Sequence, residues 1–335
     1  YILACCDKED FDKTSVALIS ENLKISRSQA SVVLNKLVKE NKLIRIESKP
    51  FYFISVEYLK EKAIPFKGCV YASLDDLLSN QEKKDFEKLV GMNHSLAQTV
   101  KQCKATISYP PNGLPMLLYG PTGTGKSLIA KLTYEWAKNQ GVISKDGQFV
   151  QVNCSEYANN PELLTANLFG HVKGAFTGAE KDNEGLIALA DNGVLFLDEV
   201  HELKAECQEK LFLFMDQGIY HRVGDNEKWY KSNVRIVFAT TENPDKVLLK
   251  TLMRRIPMTI TIPSLEQRGT QERIELLYNI FSQEEKRLDC QIKMSSKVYN
   301  ALLQSKMPGN IGQLKSSVQS CCINSLFDKV NDELV

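Results

Sequence analysis

No apolar run in this chain approaches the ~20 residues a membrane-spanning helix requires, so no span is expected. An excess of one charge sign is missing too. Its 42 basic and 41 acidic side chains leave a net +1, so any affinity for nucleic acid must come from a local patch. Histidine is scarce, at four, and the nine scattered cysteines contain no C-x-x-C and make no ligand-spaced cluster with it. This argues against a structural zinc and for reduced thiols, as in a cytoplasmic protein. Tyr1 to Cys6 is too short, and lacks the basic flank, to be a secretory leader. What is present is an ordinary globular composition, 43% apolar and 25% charged, over 335 residues, enough for two or three cores. The start at Tyr1 rather than methionine reads as a piece of something larger.

Residues 1–58 suggest a small winged helix. Thr14 is placed to cap a helix carrying Val16, Ile19 and Leu23, and Ser26 to cap a second with an apolar stripe of Ala30, Val33, Leu34, Leu37 and Val38. Two alternating runs, Leu43 to Glu47 and Phe51 to Ser55, flank Ser48-Lys49-Pro50 and read as a hairpin. From Lys24 to Pro50, seven basic residues oppose Glu40 and Glu47. In that plan Arg27, Ser28, Gln29, Ser31 and Asn35 would face DNA base edges or phosphates, with Arg45 and Lys49 on the DNA backbone. The same pattern also suits a solvated basic face or a winged helix used for protein contact. Residues 59–88, polar and carrying Pro65, read as a partly helical linker.

From 89 to 263 apolar runs alternate with helical stretches. Met116–Tyr119, Phe149–Asn153, Val194–Asp198, Val234–Thr240 and Thr259–Ile262 are the expected strands of a parallel sheet covered on both faces, an α/β class. Residues 264–335 lack strands and read as a helical lid, its last helix opened by Pro308-Gly309-Asn310. Gly120-Pro121-Thr122-Gly123-Thr124-Gly125-Lys126-Ser127 follows the first strand and opens a helix, the context of a phosphate-binding loop. Converging backbone N–H groups and the helix N-terminus would hold phosphate. Lys126 would reach the β and γ phosphates of ATP, and Ser127 would ligate Mg²⁺. The strand ending Asp198-Glu199 supplies an acid for the Mg²⁺ shell and a second to orient the attacking water. In isolation, a strand ending in exposed acids is common.

Between these two signatures lies Gly174-Ala175-Phe176-Thr177-Gly178-Ala179, whose end glycines permit sharp positive-φ turns and whose tip offers one ring and one hydroxyl to a partner. With its flank, Asn167-Leu-Phe-Gly-His171-Val-Lys-Gly-Ala-Phe-Thr-Gly-Ala179, it resembles the signature loop of the bacterial enhancer-binding activators of sigma-54 RNA polymerase, which are AAA+ ATPases. The likeness covers about 89–325. The early helix-turn-helix, Tyr109-Pro-Pro-Asn-Gly-Leu-Pro and Arg254-Arg255-Ile-Pro resemble the levanase-operon-regulator branch, where phosphotransferase-system regulation domains follow the ATPase.

The resemblance implies a hexameric ring with ATP at each interface, and hydrolysis that remodels closed promoter complexes into open ones. Partners would be sigma-54 at the 174–179 tip, promoter DNA, and phosphotransferase proteins acting on domains outside this chain. It also implies Asn153 as a switch holding Glu199 off the water, Thr240 as a sensor, Gly224 to Trp229 as a second exposed insertion, and Arg254 with Arg255 reaching a neighbour's ATP. Two departures stand out. The first of the family's two arginines is Leu248 here, and the lid arginine expected after Gly-Asn-Ile is Gly312, which leaves two readings: Lys315 nearby substitutes for it, or lid closure depends less on nucleotide. Two rival readings are another AAA+ remodelling factor and a nucleotide-gated DNA-binding switch with weak ATPase.

Overall fold

The computed structural model describes residues 1–6, 10–48, 50–61, 66, 68–74, 77, 86 and 89–330. Two compact units divide the chain, Tyr1–Lys84 and Asp85–Val335.

In the first unit, short helices Ile2–Cys6 and Val16–Asn22 precede the longer helix Arg27–Lys39. Ser26 opens that last helix with a reciprocal capping box: its hydroxyl accepts from the Gln29 amide while the Gln29 side chain accepts from the Ser26 amide. Ala30, Leu34 and Val38 bury one face, whereas Val33, expected in the stripe, is 52% exposed. Strands β1 (Leu43–Ile46) and β2 (Tyr52–Ser55) pair antiparallel as the expected hairpin.

Two further details differ from the sequence reading. The helix Val16–Asn22 is preceded by Ser15 rather than capped by Thr14. Thr14 is fully buried, and its hydroxyl donates to the Phe11 carbonyl and accepts from the Phe53 amide, fastening the hairpin instead. The stretch read as linker contributes a third strand, β3 (Val70–Tyr71), parallel to β1, and Tyr71 and Leu77 enter the unit's apolar core.

The second unit is built on a five-stranded parallel sheet in the order β10-β4-β9-β6-β5. The strands are β4 (Met116–Tyr119), β5 (Phe149–Asn153), β6 (Val194–Asp198), β9 (Arg235–Thr240) and β10 (Met258–Thr261). Period-two alternation sends successive residues to opposite faces. Leu195 and Leu197 join a core with helices Pro161–Phe169 and Ala205–Gln217, while Val194 and Phe196 join another with helices Ala97–Ile107 and Lys126–Asn139. Each such fully buried side chain contributes about 1.5–3 kcal/mol, which is why both-face burial selects continuous apolar runs. A small ribbon, β7 (Ile219–Tyr220) with β8 (Tyr230–Lys231), lies before β9 in the chain. Helices Thr270–Leu288, Ser296–Gln304 and Asn310–Val330 follow the sheet and close around Leu277, Leu314 and Val318.

Candidate functional site

The carboxyl ends of the parallel strands gather the polar residues, the position where open α/β sheets hold ligands. The chain leaves β4 through Gly120–Gly125 and enters the helix Lys126–Asn139, with positive φ at Gly123 (74°) and Gly125 (98°). Lys126 is 5% exposed, and its amine donates to the carbonyls of Gly120 (2.9 Å) and Pro121 (3.3 Å). Burial pushes its pKa down, and the carboxylates of Glu199 and Asp198 oppose that shift. Ser127 donates its hydroxyl to Asp198 Oδ2 at 2.8 Å, tying the loop to the end of β6. These hard oxygen donors, a hydroxyl and a carboxylate in contact, suit Mg²⁺ chemistry.

The helical segment after the sheet grips the same loop from the other side. Asn310 Nδ2 donates to Thr122 O (2.8 Å), the Ile311 and Gly312 amides to Gly123 O (3.0 and 3.3 Å), and Arg268 Nη2 to Thr124 O (2.8 Å). Arg268 is 2% exposed, and burial pushes its pKa down. Sequence reasoning did not single it out. A Cβ on Gly123 would stand 2.2 Å from the Gly309 carbonyl, so only glycine permits this approach. Between lid and sheet lies a cavity of about 540 Å³. Lys126, Asp198, Glu199 and Arg268 line its polar side, and Leu89 and Ile280 an apolar one. Lys315 also lines it and is exposed.

Glu199 adopts a left-handed conformation (φ 52°, ψ 49°) with its amide bonded to Asp198 Oδ1 at 3.0 Å. Asn153 stands in register beside Asp198, yet its side-chain oxygen accepts from the Ser155 amide (3.2 Å) and hydroxyl (2.9 Å). Glu199 Oε2 instead accepts from Thr241 Oγ1 at 3.2 Å and lies 3.4 Å from His201 Nδ1. Thr240, the sensor residue expected from the resemblance, is fully buried, with His201 Nδ1 3.2 Å from its hydroxyl. Neither His201 nor Thr241 was anticipated. Their contacts with Glu199 arise only because β6 and β9 lie side by side.

The two adjacent arginines part company. Arg255 forks onto Asp216 (3.0 and 3.3 Å) and stacks over the Phe212 ring, whereas Arg254 is exposed and makes no ion pair among the described residues. Leu248, at the family's other arginine position, is core.

The 174–179 tip is a closed turn. The Gly174 amide donates to Ala179 O and the Ala179 amide to Phe176 O, with positive φ at Gly174 and Gly178. Its base is laced by His171, which pairs with Asn183 and Val223. Phe176 is 39% exposed and meets the His171 ring edge-on at 4.9 Å. The second insertion touches this tip, since a Cβ on Gly224 would lie 2.7 Å from Ala175 Cβ.

On the first unit, Arg27 and Ser28 are exposed at the start of their helix, while Gln29 is spent on the cap. Ser31 accepts from Asn35, which accepts from Arg45 at 3.3 Å, and Arg45 also pairs with Glu47. Lys49 lies outside the described residues.

Sheet, loop and lid together define an AAA+ P-loop fold. NtrX from Brucella abortus, solved in complex with ATP, is similar at a TM-score of 0.57 and 25% identity, over 72% of this chain and 52% of that one. Residues 89–260, half of the chain, match the family model described as the Sigma-54 interaction domain, and the chain belongs to that family of transcriptional activators. Similar curated proteins include the transcriptional regulatory protein LevR of Bacillus subtilis (44% identical over 93% of this chain and 34% of that protein). DagR of Salmonella typhimurium is 38% identical over 91% of this chain and 33% of that protein. The chain thus spans about a third of the length of these relatives. Among the described residues no helix is long and apolar enough to cross a membrane, and no group of three or more His, Cys, Asp or Glu side chains is placed to hold a metal ion.

Proposed function

We propose that this chain is the ATP-driven motor and DNA-binding part of a sigma-54-dependent transcriptional activator. The observation that carries the reading is the convergence of Lys126, Ser127, Asp198 and Glu199 on one cavity roofed by the lid, in a chain that also presents the 174–179 tip. ATP binds with its phosphates in the Gly120–Ser127 loop. Ser127 and Asp198 hold Mg²⁺, Lys126 neutralises charge on the β and γ phosphates, and Glu199 orients water. Little covalent work falls to the protein, so positioning and charge supply the rate.

An exposed Arg254 that completes a neighbour's site makes hydrolysis depend on a ring, read here as a hexamer. Lys315 takes the place of the lid arginine missing at Gly312. Phe176 and Thr177 engage sigma-54, and turnover drives the closed promoter complex open. Arg27 and Ser28, at the exposed start of their helix, contact upstream DNA, and phosphotransferase-system proteins act on parts of the full regulator outside this chain.

The testing experiment is Glu199→Gln. It retains ATP binding in a thermal-shift titration and loses steady-state turnover by at least about 10²-fold. Near-parent turnover would reject Glu199 and the hydrolytic reading with it.

A further inference from the structure

Glu199 is held in a way that the position of Asn153 does not explain. Its backbone is in the left-handed region, which costs a non-glycine residue about 1–2 kcal/mol, so local contacts must fix it. Both contacts that reach its carboxylate meet the same oxygen: Thr241 Oγ1 donates to Oε2 at 3.2 Å and His201 Nδ1 stands 3.4 Å from it.

The imidazole is itself anchored. Nδ1 lies 3.2 Å from Thr240 Oγ1, an atom fixed by the Glu242 amide at 3.1 Å, and Nε2 lies 3.6 Å from Glu202 Oε1. Both side chains are largely covered, with His201 20% and Glu199 25% exposed, so these contacts act with little screening by water. Asn153 is committed to Ser155 through its side-chain oxygen and makes no hydrogen bond to Glu199 among the described residues.

We propose that His201, with Thr241, is the latch that positions Glu199. The inference rests on the reading of Glu199 as the water-orienting group. Latched, the carboxylate has one oxygen engaged by the sensor end of β9 and by the imidazole. Released, both oxygens are available to water. Because Thr240 and Thr241 are neighbours where β9 ends, a small displacement there alters both anchors together. The end of β9 and the β6 acid thereby move as one coupled element. His201 is a positioning residue, acting through Glu199 and touching no phosphate.

The test is a double-mutant cycle on the full chain, measuring kcat and KM for ATP hydrolysis. Removal of the latch by His201→Ala, or by the near-isosteric Thr241→Val, raises basal kcat about three- to tenfold with KM changed less than about twofold. His201→Asn, which keeps a donor near Nδ1, stays close to the parent. In a Glu199→Gln background, adding His201→Ala changes nothing, since a residue working through Glu199 has nothing left to act on.

Two results overturn the latch. One is unchanged kcat in both His201→Ala and Thr241→Val. The other is an effect of His201→Ala that persists at full size in the Glu199→Gln background, which marks a scaffold role. Thr241→Val keeps the cycle decisive if His201→Ala unfolds. Undiminished turnover in Glu199→Gln alone would instead strike the functional reading beneath the latch, and the two failures are told apart by that single variant.

Discussion

Arg255 and Asp216 form a two-pronged ion pair, 3.0 and 3.3 Å, that fixes the guanidinium over the Phe212 ring and leaves the preceding Arg254 alone in solvent. Among the described residues, the two adjacent arginines thus divide into one held by an ion pair and one exposed with no ion-pair partner.

That division predicts different phenotypes. Arg254→Ala should cut ATP turnover by about 10³-fold or more while nucleotide binding and melting temperature hold. Arg255→Ala should cost at most about 1 kcal/mol of stability, because the pair is part-exposed, and should reduce turnover far less. Steady-state ATPase assays beside thermal melts of both variants check this. Equal loss of turnover in both would contradict it.

A second prediction concerns the lid. Lys315 lines the cavity, and Gly312 packs its backbone against Gly123, where an added Cβ would meet Gly123 Cα at an ordinary 3.6 Å. Lys315→Ala is expected to weaken ATP affinity about tenfold, equivalent to ~1.4 kcal/mol. Placing an arginine by Gly312→Arg in that background should recover most of it. Calorimetric titration reads both. Unaltered affinity in Lys315→Ala would remove the lysine from the site.

The recognition helix yields a third prediction by contrast. Arg27→Ala should weaken binding to operator DNA, lower its salt dependence and leave ATPase unchanged. Gln29→Ala should instead lose about 0.5–1 kcal/mol of stability, because that side chain closes the capping box. Gel-shift titrations at two salt concentrations, with melts, separate the two. Equal DNA affinity in Arg27→Ala would remove that helix start from the interface.

The sheet was legible because both-face burial writes strands as unbroken apolar runs, and because the acids of β6 stand directly at a strand end. The cap at Ser26 was legible from its local sequence, whereas its reciprocal partner Gln29 was expected at DNA instead. What escaped depends on distance along the chain. Val70–Tyr71 is too short to show alternation and becomes a strand only by pairing with β1. Arg268 reaches a carbonyl far back in the sequence, at Thr124, and no local pattern marks that. Thr14 has the chemistry of a cap, and only the distant Phe53 amide shows that its hydroxyl is used elsewhere. Among the site residues, the Gly120–Ser127 loop and Asp198 could be read from spacing. The partners of Glu199, by contrast, come from the juxtaposition of β6 with β9, which spacing does not encode.

The most direct measurement is capture of purified sigma-54 by this chain with ADP–aluminium fluoride, comparing the parent with Thr177→Ala. The tip is partly exposed at Phe176 and closed by its own backbone bonds, so removing one hydroxyl leaves its shape intact. Retention by the parent only with the analogue, and none by Thr177→Ala although it binds the analogue equally, is the expected result. Retention by Thr177→Ala equal to the parent's, or retention indifferent to nucleotide, would contradict the claim that hydrolysis is delivered through this tip.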